Sequence, residues 1–162
     1  MAYDNKITDE EIDLAIETLE DMEEGKLEKL FNRLAEQQPH AVGFVHGLGE
    51  GLNNEEAEED LLYLVMIMWF AIESNKKAEL NSISEEEMEN LQHKIDERLE
   101  RIMSFAAEEE EDEFEVLISE SSQPALVSYL SDEFFSEEYA RMPEMKVAKM
   151  FSCLSVLAET LS

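Results

Sequence analysis

A helix-start signal that occurs twice constrains this chain more than any other feature of its sequence. In the segment 7–12, the Thr8 side chain can cap a helix, and Glu11 can reach back to the Thr8 amide. Isoleucine flanks this capping box on both sides, as in a hydrophobic staple. The same device returns 76 positions later, at 83–88, and strand signals are almost absent along the chain. The sequence therefore predicts an all-α protein.

Two further matches follow in the same order. The segment 38–45 resembles the segment 123–130, and each begins with Gln-Pro. Proline is tolerated at the first position of a helix, so each match also predicts a helix start. An apolar pattern at 61–73 is repeated at 147–159. Three ordered matches are harder to attribute to chance than a capping box alone.

These repeats predict an internal duplication within a single domain over residues 1–162. The related halves lie at about 7–75 and 83–161. The offset between matching positions grows from 76 to about 85, which predicts an insertion in the second half. The acidic run 108–113 is the candidate for part of it.

The predicted fold is a helical bundle of about eight helices, formed by two tandem, related four-helix halves. We expect the first helix to stop near Gly25. The fourth helix is apolar on all sides over 61–72, so other helices or a partner subunit must enclose it. We expect it at the centre beside the last helix, around an approximate two-fold axis; a stack of helical hairpins and a homodimer are the alternatives. The helices are predicted at about 9–23, 27–36, 39–51, 55–75, 85–107, 112–120, 124–135 and 143–161.

The charge of the chain restricts its partners. It carries 41 acidic and 12 basic residues, a formal net charge of −29. Such a surface repels nucleic-acid backbones and anionic membranes and attracts basic proteins, polyamines or divalent cations. The bland interpretation is that glutamate forms helices well and keeps a surface solvated.

The remaining compositional features predict a cytoplasmic protein. The N-terminal segment has no basic stretch followed by an apolar one, so we expect no secretion signal. The longest apolar run has twelve residues, whereas a membrane-spanning helix needs about 20. A single cysteine, Cys153, rules out an internal disulfide and lies among apolar neighbours, which predicts a buried, inert thiol.

Acidic residues at the start of the fourth helix are the candidate metal ligands. Glu56, Glu59 and Asp60 could hold Mg²⁺ in a hydrolase of a phosphorylated small molecule such as a nucleotide. However, acidic residues in the first turn of a helix also favour its positive dipole end and stay solvated. No matching motif and no Lys/Arg cluster for the phosphates accompany them.

A glycine-rich segment is the candidate interaction surface. Glycine costs a helix about 1 kcal/mol relative to alanine, so three glycines at the end of the third helix need a reason. The purely structural explanation is a helix end and turn, with close approach of another helix. The second half has neither these glycines nor equivalents of the nearby histidines. The sequence differences between the two halves are therefore concentrated in this segment. The predicted interaction residues are His40, His46, Gly47, Gly49 and Gly51.

Together these patterns favour a non-enzymatic, acidic helical interaction protein without a cofactor. Its expected partner is a basic protein, which it would bind as an adaptor, chaperone, inhibitor or nucleic-acid mimic. The magnesium-dependent hydrolase is the alternative.

Overall fold

The all-α class and the number of helices are confirmed. The computed structural model of the chain describes residues 6–52, 55–76, 80, 82–108, 111–135 and 143–161, and these contain no strand. Each of the eight predicted helices is present, with ends that differ from the expected ones by three residues at most. The helices are α1 (Asp9–Glu20), α2 (Glu24–Gln37), α3 (Pro39–Leu52), α4 (Glu55–Lys76), α5 (Glu85–Glu108), α6 (Glu111–Glu120), α7 (Pro124–Phe134) and α8 (Glu144–Leu161).

Both capping boxes form as the sequence predicts. At α1, the Glu11 amide donates to Thr8 Oγ1 (3.2 Å), and the Thr8 amide donates to the Glu11 carboxylate (3.2 Å). At α5, the Glu87 amide donates to Ser84 Oγ (3.1 Å), and the Ser84 amide donates to Glu87 (3.4 Å). Each box satisfies two amides that the helix itself leaves without acceptors.

The prediction that α1 stops near Gly25 is wrong by one turn. The C-cap of α1 is Asp21, whose amide donates to the Glu17 carbonyl at 3.0 Å. The next helix then begins at Glu24, which places Gly25 inside its first turn. Glycine costs a helix only about 1 kcal/mol relative to alanine and does not prevent helical dihedrals, so Gly25 need not end a helix.

The core centres on α4 and α8, which pack against each other. Helix α4 also packs on α1 and α3, and α8 packs on α5 and α7. Trp69 in α4 and Phe151 in α8 are wholly buried. The chain's own helices therefore cover most of the apolar surface of α4. The homodimer stays a prediction. Among the helices described, none combines the length and apolar content that crossing a lipid bilayer requires.

Two buried glutamines join the halves reciprocally. Gln38, just before α3, accepts a hydrogen bond from the Ile83 amide, just before the second capping box (2.9 Å). Gln123, just before α7, accepts one from the Ile7 amide, just before the first capping box (2.8 Å). Both glutamines are almost completely buried. The Gln-Pro segment of each half therefore satisfies the helix entry of the other half.

The contacts between helices are also similar in the two halves. The α1–α4 and α3–α4 contacts of the first half have counterparts in α5–α8 and α7–α8 of the second. Between the halves, α1 packs on α7 and α3 packs on α5. As a result, α1, α4 and α7 are in contact with one another or share a neighbour, and the same is true of α5, α8 and α3.

Candidate functional site

The glycine-rich segment lies within α3, which stays helical through Leu52. The glycines therefore lie in the last turns of this helix, close to its predicted end at 51, and the connection at 53–54 lies outside the described residues. Gly49 faces α4, and a Cβ built on it would lie 2.6 Å from Glu58 Cγ and 2.9 Å from Glu58 Cβ. Such distances are shorter than real carbon atoms allow, so close approach of the two helices requires glycine at this position. Gly49 thus has a structural role.

His46 joins the same contact from the side. Its Nδ1 lies 2.6 Å from a Glu58 carboxylate oxygen, and its Nε2 lies 3.2 Å from Glu50. The imidazole is about half exposed, and the Glu58 side chain is mostly buried. His46 therefore tethers α3 to the first turn of α4 next to Gly49.

The other predicted interaction residues form an exposed face of α3. Gly47 and Gly51 are exposed, and a Cβ built on either would meet nothing within 4 Å. Gly43, which the sequence analysis did not single out, continues this line one turn earlier, and His40 is also exposed. The spacing of four between the glycines was the available signal, since it places them on one side of a helix.

The candidate magnesium ligands occupy the first turns of α4. Glu56 and Glu59 are exposed, and Asp60 is half-buried. In the described part of the chain, no three His, Cys, Asp or Glu side chains are placed to hold a metal ion together. The magnesium-dependent hydrolase stays a prediction.

A cleft between α1, α4 and α7 brings aromatic rings and carboxylates together. We call it the tyrosine cleft. It has a volume of about 280 Å³. Its floor includes the buried Leu64 and Ile67, and the rings of Tyr63 and Tyr129 are half-buried in its wall. Its complete lining is Ile16, Glu20, Asp60, Tyr63, Leu64, Ile67, Tyr129 and Glu133.

The electrostatic field in the tyrosine cleft is negative. Burial raises the pKa of Tyr129 strongly, and the nearby Glu133, the Tyr63 phenol and Glu20 raise it further. Burial also raises the pKa of Tyr63, again with a contribution from Glu20. Both phenols are therefore neutral at physiological pH, and their rings lie close to carboxylates.

A second, larger groove of about 610 Å³ lies where α5 meets α8. Lys94, Arg98 and Arg101 line it from one face of α5. Arg98 forms a mostly buried ion pair with Glu159 of α8, and Arg101 pairs with Glu120 at 3.1 Å. These two arginines therefore direct their charge toward carboxylates of the same chain.

The thiol of Cys153 is buried, as predicted. Its side chain lies in α8 with about 2% of its surface exposed. Burial raises the pKa of this thiol to about 12. Because the thiolate is the reactive form, Cys153 is unsuited to act as a nucleophile.

Comparison with protein-family models, with curated proteins and with solved structures found no match to this chain.

Proposed function

We propose that this chain is a non-enzymatic interaction protein whose acidic helical surface binds a basic protein partner. The observation that supports this proposal is the net charge of −29, carried by carboxylates on exposed faces of the helices. Several cations are already engaged within the chain, since Arg33 pairs with Glu73 at 2.5 Å and Arg98 pairs with Glu159. A field of this strength attracts a basic partner over distances longer than a contact.

We assign the contact itself to the exposed face of α3, which holds one carboxylate, Glu50, while the carboxylates of the other helices would attract the basic partner toward it. His40, Gly47 and Gly51 lie there, and glycine on this face lets a partner's backbone approach closely. Gly49 faces α4, and His46 contacts Glu58 of α4. These two residues would therefore hold α3 against α4 and would not lie at the centre of the binding face.

We also infer that the two halves arose by duplication. The reciprocal hydrogen bonds of Gln38 and Gln123 support this inference, because each occupies the same sequence position and the same structural role in its half. The contacts of α1 with α7 and of α3 with α5, which occupy matching positions in the two halves, support it too. Because of the duplication, each site in one half has a counterpart in the other half, and residues that differ between the two can be identified by comparison.

The proposed interaction predicts a strong dependence of association on salt. The partner would be recovered by affinity capture, and its association rate measured at about 0.05 M and about 0.3 M salt. We expect a basic partner in stoichiometric amount, with an association rate at least about tenfold lower at the higher salt, because screening removes long-range attraction. Gly47→Ala should weaken this binding if the α3 face makes the contact.

Matched variants separate the contact from general stability. Gly49→Ala alters the α3–α4 packing and should leave partner affinity unchanged in the folded fraction. An association rate indifferent to salt, or no specific partner at either salt concentration, would refute the proposed function.

A further inference from the structure

The tyrosine cleft is assembled from three helices in a regular way. Each helix supplies a pair, an apolar or aromatic side chain with a carboxylate about a turn away, which places both on the same face; α4 adds Leu64 and Ile67. The pairs are Ile16 with Glu20, Tyr63 with Asp60, and Tyr129 with Glu133. These six side chains line an open cleft where α1, α4 and α7 meet, and Glu20 among them is solvent-exposed.

This combination has the chemistry of a site for an organic cation. A cation over an aromatic face gains about 0.5–2 kcal/mol, depending on how far it is desolvated. Carboxylates add Coulomb attraction and accept hydrogen bonds from ammonium or guanidinium groups. The apolar floor formed by Leu64 and Ile67 suits the methylene stem of a long basic side chain. A volume of about 280 Å³ lies just below the range for drug-sized ligands, so it suits one side chain.

The counterpart of the cleft in the second half has different chemistry. Under the duplication alignment, Lys146 and Lys149 stand where the first half has Asp60 and Tyr63. Phe44 and Leu48 correspond to the two α7 residues of the cleft, Tyr129 and Glu133, and lack their polar groups. The same helix contacts thus occur twice, but only one of the two junctions combines carboxylates with tyrosines. An acidic composition alone does not account for this difference.

We propose that the tyrosine cleft binds the cationic end of a Lys or Arg side chain of the basic partner. This inference rests on the proposed function and locates one specific contact within it. The ring faces of Tyr63 and Tyr129 would lie against the cation, and Glu20, Asp60 and Glu133 would balance its charge.

Peptide binding to the purified, full-length chain tests this site directly. The probes are blocked tripeptides with Lys, Arg or the neutral isostere norleucine between glycines, together with free spermidine. Chemical shifts of the tyrosine ring protons report binding. We expect the Lys and Arg peptides to shift the Tyr63 and Tyr129 signals, with the norleucine peptide at least about fivefold weaker.

Two pairs of variants make the test specific. Glu20→Gln should weaken Lys-peptide binding about three- to tenfold, whereas Asp96→Asn, an equal charge change at the corresponding position of α5, should leave it within about twofold. Tyr63→Leu should abolish most of the binding, and Tyr63→Phe, which keeps the ring face, should retain it.

Several outcomes would overturn the assignment. These are equal binding of the norleucine peptide, equal losses in Glu20→Gln and Asp96→Asn, or binding of spermidine without the peptides. Failure of this inference differs from failure of the proposed function. Partner capture with unchanged affinity in Tyr63→Leu would remove the cleft alone, whereas peptide binding without any captured partner would remove the protein-partner proposal.

Discussion

At Gly49, the absence of a methyl group sets how closely α3 and α4 approach. The nearest atoms to a Cβ there are Glu58 Cγ and Cβ; rotation about the Cα–Cβ bond moves Cγ, but Cβ is fixed to the backbone of α4 and would lie at 2.9 Å. At Gly47, two residues earlier, the same methyl group would enter open space. Substitution by alanine should therefore change the stability of the fold in opposite directions at these two positions of one helix.

Alanine substitutions test this difference. Gly49→Ala should lower the free energy of unfolding by about 1–3 kcal/mol, because the overpacked contact must separate the helices. Gly47→Ala should raise it by up to about 1 kcal/mol, because alanine favours the helix and meets no neighbour. Urea denaturation followed by circular dichroism measures both values. Equal effects of the two substitutions would contradict the packing role of Gly49.

At the scale of helices, the glutamines before α3 and α7 hold the entries of α5 and α1. Gln38→Ala and Gln123→Ala each remove the acceptor of a buried amide hydrogen bond. Each should lower the free energy of unfolding by about 1–3 kcal/mol. The comparable size of the two losses is itself an expectation of the duplication. Chemical denaturation provides the measurement.

The exposed Gln92 supplies the control for both glutamines. Its exposed side chain donates to Asp96 in the next turn of the same helix, so Gln92→Ala should stay within about 0.5 kcal/mol of the wild type. A loss at Gln38 without a similar loss at Gln123 would contradict equivalent roles for the two residues.

Helices were predictable from the sequence because their signals are local. A capping box or a proline fixes a start within a few residues, and apolar periodicity fixes the buried face. The tyrosine cleft was not predictable in this way. Its side chains come from three helices far apart in sequence, and periodicity identifies a buried face without identifying the helix that covers it. In the sequence, Tyr129 consequently resembles an ordinary residue of an amphipathic helix, and Tyr63 is one residue of the apolar run 61–72.

At the scale of the whole molecule, the net charge of −29 opposes its own compact fold. Folding brings like charges closer together, so their repulsion lowers stability most when little salt is present to screen it. Mostly buried pairs such as Arg98–Glu159 act in the opposite direction, but few such pairs occur among the described residues, whereas the whole chain has 41 acidic residues. Repulsion between carboxylates should therefore dominate the response to salt.

Thermal unfolding at about 0.02 M and about 0.5 M sodium chloride tests this balance. We expect the Tm to rise by at least about 3 °C with salt. The double substitution Glu89→Lys and Glu100→Lys changes the net charge from −29 to −25, since each exchange replaces a negative charge with a positive one. Both positions are exposed within α5, so this variant should have a higher Tm at low salt and a smaller rise with added salt. A Tm that is unchanged or lower at high salt would show that attractive pairs, and not like-charge repulsion, dominate the electrostatic free energy of the folded chain.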